Sequence, residues 1–165
     1  MGRKRFGDQT CGIARSLDIF GDWWSLLIIR DAFFGIRRFK DFQQHLGISK
    51  NILTQRLRRL VDNEILERVD VGQQGERFEY HLTEKGDALL PILTTLREWG
   101  DAWVFGTGNE PLTMHERKTG KRIPKTIVRD AAGAPVNRKS VRARPGPGAD
   151  ESIHRIFDRR PNTEE

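Results

Sequence analysis

The order of elements between Trp23 and Leu82 limits the fold more than any single residue does. Trp23 to Phe34 is nearly all apolar, with Trp24, Leu27, Ile28 and Ala32 on one side, and Gly35 closes it. A helix so apolar on most sides is buried. Arg37-Arg38-Phe39-Lys40-Asp41-Phe42 leads into a further helix that ends at Leu46, and Gly47 supplies a turn. Ser49 then suits an N-cap, because its hydroxyl accepts from a free backbone N–H two or three residues on. The helix it starts runs to about Asn63, with Leu53, Leu57 and Leu60 in line toward a core. Leu66–Val71 and Phe78–Leu82 alternate and flank Gly72-Gln73-Gln74-Gly75-Glu76, which predicts a hairpin. A short helix over 11–20 (Ile13, Leu17, Phe20) precedes this set. A long helix from Thr83, with Leu89, Leu93, Leu96, Trp99 and Trp103 on one stripe, follows it, and Pro91 lies near its start. Two helices joined by a glycine turn and followed at once by a hairpin make a winged helix-turn-helix, a mainly α fold with a β-hairpin wing (α+β).

In that arrangement the second helix of the pair enters the DNA major groove. Charge agrees locally. Arg37, Arg38, Lys40, Lys50, Arg56, Arg58 and Arg59 fall within 23 residues and only Asp41 opposes them. Such a cluster suits phosphate contacts and a salt-dependent affinity. At 100° per residue, Asn51, Thr54, Gln55 and Arg58 lie opposite the leucine stripe. These side chain types hydrogen-bond base edges, Asn or Gln to adenine and Arg to guanine, so they are the expected base contacts. Arg37, Arg38, Lys40, Ser49 and Lys50 are the expected backbone contacts. Gln73 and Gln74 in the hairpin loop, with Arg77 beside it, form the wing. A basic, polar helix face taken alone is more often plain solvated surface; the adjoining turn and hairpin favour DNA.

The residues that carry this order also resemble a known family. Gly21-Asp22-Trp23-Trp24-Ser25-Leu26-Leu27-Ile28-Ile29-Arg30, Gly35-Ile36-Arg37-Arg38-Phe39, Leu46-Gly47-Ile48-Ser49, Leu53-Thr54-Gln55-Arg56-Leu57, Phe78 through Gly86, and Trp99-Gly100 are similar to the HxlR-type regulators, over roughly residues 10–105. The resemblance implies a bacterial transcriptional regulator with a MarR-related winged helix, binding near-palindromic promoter DNA as a homodimer. Two departures stand out: Gly72 and Gly75 replace a frequent wing proline, and Asp22 replaces a frequent basic residue before Trp23. A dimer also follows from the small number of base pairs that one helix pair reads. Ile13, Leu17, Leu93, Leu96, Trp99 and Trp103 exceed the needs of so small a core and are the expected interface, with intramolecular packing as the other reading. Repression is the expected sign, since a dimer on a promoter blocks polymerase without further contacts, with activation, which some relatives perform, as the alternative.

Cys11 stands where several members of that family carry a redox-sensing thiol, with Arg15 a turn further on. As the single cysteine it is limited to an intersubunit or mixed disulfide, and an inert thiol is the alternative. A hollow between the long helix and the buried helix is a candidate place for a small hydrophobic effector, though no residue pattern marks it.

Composition changes after Phe105. Up to that residue there are 16 Lys+Arg against 15 Asp+Glu, and beyond it 13 against 8, together with six of the seven prolines. Residues 1–105 are therefore the expected DNA-binding and dimerisation domain, 106–144 a small β-rich C-terminal appendage, and 145–165 a flexible tail. Strands are expected over Leu112–Arg117, Arg122–Arg129 and Val136–Arg144. Longer family members have a zinc-ribbon-like segment here with paired cysteines; without them, and with His115 and His154 isolated, no metal or other cofactor is expected. The basic excess either adds nonspecific DNA affinity or keeps the extension soluble.

No Gly-rich phosphate loop, nucleophile elbow or metal-spaced cluster occurs, so an enzyme is not expected. His45 and His81 read as structural. An RNA reader would display stacking aromatics, whereas Phe33, Phe34, Phe39, Phe42, Trp99 and Trp103 follow core or interface stripes. A winged helix used only for protein contact would not need the basic cluster. No apolar run approaches the ~20 residues of a membrane span, and the basic start passes into Gly7 and Asp8 instead of an apolar stretch. The expected setting is the cytoplasm, away from any membrane, with double-stranded DNA and a second copy of the chain as partners.

Overall fold

A computed structural model describes residues 6–72 and 77–158. Cys11 precedes α1 (Gly12–Phe20), and the Gly21 N–H closes its end on the Leu17 carbonyl. The next helix, α2 (Trp23–Phe33), buries Ser25, Ile28, Ile29, Asp31 and Ala32 and packs against α3, α4, α6 and the second strand of the hairpin. Its apolar residues lie on most of its faces because neighbours cover most of its faces. Gly35, at φ 90°, ends this segment, and the Ile36 N–H reaches back to the Asp31 carbonyl.

Helix α3 (Phe39–Leu46) buries Phe42. Gly47 follows in the left-handed region at φ 62°, where a side chain is disfavoured. Ser49 caps α4 (Lys50–Asp62) by accepting from the Ile52 N–H at 3.4 Å. Leu53, Leu57 and Leu60 are at most 1% exposed. Each contributes roughly 1.5–3 kcal/mol of burial free energy, and together they set which side of α4 faces water. β1 (Leu66–Asp70) and β2 (Phe78–Leu82) pair antiparallel, Leu66 opposite Leu82 and Asp70 opposite Phe78. This is the winged helix-turn-helix.

The predicted long helix is divided. Thr83 caps a short α5 (Glu84–Asp87), its hydroxyl accepting from the Gly86 N–H at 3.0 Å. Helix α6 (Leu90–Gly100) begins anew with Pro91 in its first turn and passes into a π-helical turn, Asp101–Phe105. The cause is Pro91, which has no N–H to offer a continuous helix. No residue of α6 is buried.

The expected strands beyond residue 106 shrink to two isolated bridges, His115 with Arg122 and Arg129 with Pro135. Around Gly120 (φ 68°), Glu116 N–H bonds the Lys121 carbonyl and Ile123 N–H the Met114 carbonyl, each at 2.8 Å. The next residues are engaged elsewhere: the Thr126 N–H donates to the Glu98 carboxylate at 3.0 Å, and the chain turns at Asn137, whose N–H donates to Ser140 Oγ at 2.9 Å. Where a flexible tail is expected, Glu151–Asp158 forms α7, because Asp150 caps it: its carboxylate accepts from the Ser152 and Ile153 N–H groups at 2.9 and 3.1 Å. The chain divides into two compact units, Trp23–Ile127 and a second that joins Met1–Asp22 to Val128–Glu165.

Gly86 makes the tightest approach of α5 to the hairpin. A Cβ there would lie 2.3 Å from the Ile65 carbonyl oxygen and 2.9 Å from Leu82 Cδ2. Gly86→Ala is therefore expected to lower unfolding stability by about 1–3 kcal/mol, read as a lower urea midpoint. Gly35→Ala meets no neighbouring atom and suffers only from its positive φ.

Candidate nucleic-acid interface

The outward side of α4 is built by the inward one. With three leucines fixed in the core, Asn51, Thr54, Gln55 and Arg58 are all exposed, as are Lys50 at the helix start and Ser49 before it. No described group engages the side-chain amides of Asn51 and Gln55. The Thr54 hydroxyl donates to the Lys50 carbonyl at 2.8 Å, leaving its lone pairs and methyl outward. Arg58 lies 3.8 Å from Asp62 one turn on, both well exposed. Such a pair is weak and a guanine edge can displace it. Ser49 accepts from the helix, so its hydroxyl proton remains available at the positive end of α4, where anions are favoured.

Arg37, Arg38 and Lys40 are exposed as expected, but two of them have protein partners that local sequence does not disclose. The Tyr80 N–H donates to the Arg37 carbonyl at 2.8 Å, joining β2 to the segment before α3. Arg37 Nη1 donates to His81 Nδ1 at 2.7 Å, and His81 Nε2 lies 3.3 Å from Glu79 Oε2. Arg38 Nε donates to Glu79 Oε1 at 3.1 Å. That contact holds the Glu79 carboxyl below the usual carboxylate range, against a smaller opposing effect of desolvation. The row Arg37, His81, Glu79, Arg38 thus fixes the wing to the helix-turn-helix. It also means that the Arg38 guanidinium already has a carboxylate partner.

Two more residues complete the wing. Asp70 Oδ1 accepts from the Gly72 N–H at 2.9 Å and the Arg77 N–H at 3.1 Å, closing the base of the loop. These two backbone bonds, Gly72 first, lower the Asp70 carboxyl. Arg68 stacks over the Phe78 ring, 3.4 Å from its centre, and adds a cation to the exposed side of β1. Arg77 is exposed as expected. Gln73 and Gln74 lie outside the described residues.

Beneath this surface a buried carboxylate ties α2 to α3. Asp31 is 0% exposed. Arg30 donates to its Oδ1 from Nε at 2.9 Å and Nη2 at 2.7 Å, and His45 Nδ1 donates to its Oδ2 at 2.7 Å. His45 is thus a structural residue at the end of α3. Next to it lies a cavity of about 650 Å³ between α2 and α6, lined by Leu27, Phe33, Leu93 and Phe105, with Arg30, His45 and Arg97 supplying polar atoms.

Both units leave apolar side chains in water. On α1, Ile13 is 75% exposed and Leu17 is also exposed. On α6 and the turn after it, Leu96, Trp99 and Trp103 are 52, 60 and 77% exposed, and Leu93 is half-buried. Cys11 is exposed. Arg15 donates to the Gly7 carbonyl, so its side chain is engaged with the backbone.

A basic helix-turn-helix with a pinned wing defines a DNA-binding protein of the winged-helix class. The family model for HxlR-like helix-turn-helix proteins matches residues 19–107, and the chain belongs to that family of transcriptional regulators. An uncharacterized HTH-type transcriptional regulator of Mycobacterium tuberculosis is 35% identical over 144 residues, 87% of this chain and 90% of that protein. The crystal structure of PA1607, a candidate transcription factor, is 39% identical at a TM-score of 0.79, covering 87% of this chain and all of that one. The redox regulator HypR in its oxidized form is 33% identical at a TM-score of 0.52, covering 55% of this chain and 95% of that one. No helix among the described residues is long and apolar enough to cross a membrane.

With Arg38 read as a phosphate contact, release of its Glu79 partner by Glu79→Gln is expected to tighten binding to all duplexes by about two- to fivefold at low salt, an effect that fades as salt screens it. Fluorescence anisotropy over a salt series reads it. The Glu79 carboxyl is lowered in the folded protein, so its pairing contributes at neutral pH and is lost as pH falls through that lowered value.

Proposed function

We propose that the chain binds promoter DNA as a homodimer and represses transcription. The observation that carries the reading is the exposed polar face of α4, whose Asn51 and Gln55 amides no described group engages, set within the basic cluster Arg37 to Arg59. Asn51, Thr54, Gln55 and Arg58 read base edges in the major groove. Ser49, Lys50, Arg37, Arg38 and Lys40 hold phosphates, and Arg77 with Gln73 and Gln74 approaches the adjacent backbone or minor groove. Dimerisation covers Ile13 and Leu17 in one unit and Leu93, Leu96, Trp99 and Trp103 in the other. An α6 with no buried residue supports it, since a helix this apolar needs a partner. A dimer on promoter DNA excludes polymerase, which makes repression the simplest outcome.

Two regulatory inputs fit the same frame. The cavity between α2 and α6 suits a small apolar effector of drug-like size, placed to alter α6 and, through Arg30 and His45, α3. The exposed Cys11 thiol suits an intersubunit or mixed disulfide, in keeping with the redox regulator HypR among the similar structures. Oxidation with a disulfide-generating reagent should then change operator affinity, and unchanged affinity removes this input.

The test is a gel shift on the region upstream of the protein's own coding sequence, with duplex and single-stranded competitors. Duplex should compete and single strands should not. Asn51→Ala or Gln55→Ala should relax sequence preference, costing about 1–3 kcal/mol at the cognate base pair. Arg38→Ala should weaken all duplexes about equally and reduce the salt slope by about 1. If Gln55→Ala leaves affinity and preference intact, the assigned face is wrong.

Trp99→Glu and Trp103→Glu should each weaken self-association by about tenfold or more while the fold persists, read by sedimentation equilibrium and circular dichroism. An unchanged dimer would place the interface elsewhere.

A further inference from the structure

Residues 131–149 contain no Asp or Glu, but they carry Arg138, Lys139, Arg142 and Arg144. All four cations are exposed, and among the described residues no carboxylate pairs with them. The acids that bracket the run are engaged with the backbone. Asp130 Oδ1 accepts from the Ala132 and Ala134 N–H groups, both at 2.9 Å. Asp150 caps α7 and also accepts from the Thr10 hydroxyl.

The run is held at both ends. Upstream, the Val136 N–H bonds the Val128 carbonyl at 3.0 Å, and Asn137 and Ser140 close a turn through the Asn137 N–H to Ser140 Oγ at 2.9 Å. Downstream stands α7 with its cap. Between them, residues 141–146 adopt neither helix nor turn. Pro145 holds Arg144 in the extended region. In an extended chain, side chains two apart share a side and lie roughly 6.6 Å apart. That distance spans about two base-pair steps. Only Ala143 stands between Arg142 and Arg144, and Pro145, Gly146, Pro147 and Gly148 follow, so this length of chain is slender and carries no opposing charge.

We propose that this segment is a second DNA-binding element, an arm whose Arg142 and Arg144 enter the minor groove of A·T-rich duplex while Arg138 and Lys139 hold phosphates. The inference rests on the reading of the chain as a duplex-DNA binder. The A·T minor groove is narrow, about 6 Å, and its negative potential draws arginine. A guanidinium leaves water more readily than an ammonium does. Arms appended to other helix-turn-helix domains use arginines in this way. Covalent attachment to α4 makes the arm's contact intramolecular once the first contact forms.

The test uses full-length protein and labelled short duplexes of equal length built from A·T, G·C or inosine·cytosine pairs. Inosine·cytosine lacks the guanine amino group, so its minor groove matches A·T and its major groove matches G·C. Wild type should bind A·T and inosine·cytosine alike, about fivefold or more tighter than G·C. Arg142→Ala with Arg144→Ala should bring all three to the G·C affinity and reduce the salt slope by about 1–2. Arg142→Lys with Arg144→Lys should keep the slope and lose most of the preference. Gln55→Ala should leave the equality of A·T and inosine·cytosine intact. A preference unchanged in the double alanine variant overturns the arm, as does an A·T preference not shared by inosine·cytosine. Vesicles of phosphatidylglycerol and phosphatidylcholine that bind wild type as tightly as duplex, but not the double alanine variant, overturn it in favour of a lipid surface. Failure of wild type to bind any duplex at low salt overturns the DNA-binding reading itself.

Discussion

Three leucines decide what this protein presents to its surroundings. Leu53, Leu57 and Leu60 anchor α4 against α2 and leave it one orientation. Rotating the helix to hide Asn51 and Gln55 would put leucine in water and amides in the core, costing several kcal/mol on both counts. The polar face is thus a consequence of apolar packing. Gly47 sets the direction in which α4 leaves α3, and Ser49 fixes where it begins. The cations around it then act from a rigid platform.

The wing depends on a different kind of interaction. Leu66 buries the base of β1 in the core, and beyond it the hairpin meets the helix-turn-helix through polar groups: the Arg37 carbonyl, His81, Glu79 and Arg38. Such contacts orient the hairpin while remaining exchangeable. Arg38, exposed and paired among the described residues only with Glu79 across 3.1 Å, keeps most of its guanidinium donors toward solvent. Asp70 ties Gly72 to Arg77 through two backbone bonds at the base of the loop.

Much of this was legible in the sequence because it is local. The leucine spacing, the glycine at the turn, the serine cap and the alternation of the two strands are patterns within a few residues, and the elements formed where they point. Family motifs pointed the same way. The wing-to-helix contacts link residues 41 and 44 positions apart, and no periodicity encodes such a pairing. Asp31 sat in an apolar helix with nothing nearby in sequence to mark His45 as its partner. The stripe from Leu89 to Trp103 runs on through the break between α5 and α6, because apolar spacing does not register the donor that Pro91 lacks. The strands expected beyond residue 106 shrink to bridges because the backbone there bonds to side chains and turns, as Thr126 does with Glu98 and Asn137 with Ser140, pairings that no residue pattern discloses. Helix α7 follows a proline- and glycine-rich stretch that signals irregular chain, and only the Asp150 cap starts it.

The central claim is that the outward face of α4 lies in the major groove. Side-chain amide resonances of Asn51 and Gln55, followed by nuclear magnetic resonance as a duplex selected by the protein from a random pool is added, test it most directly. The account predicts that both amides shift strongly with the selected duplex and far less with an unrelated one. Amides that stay in place while resonances elsewhere move would contradict it.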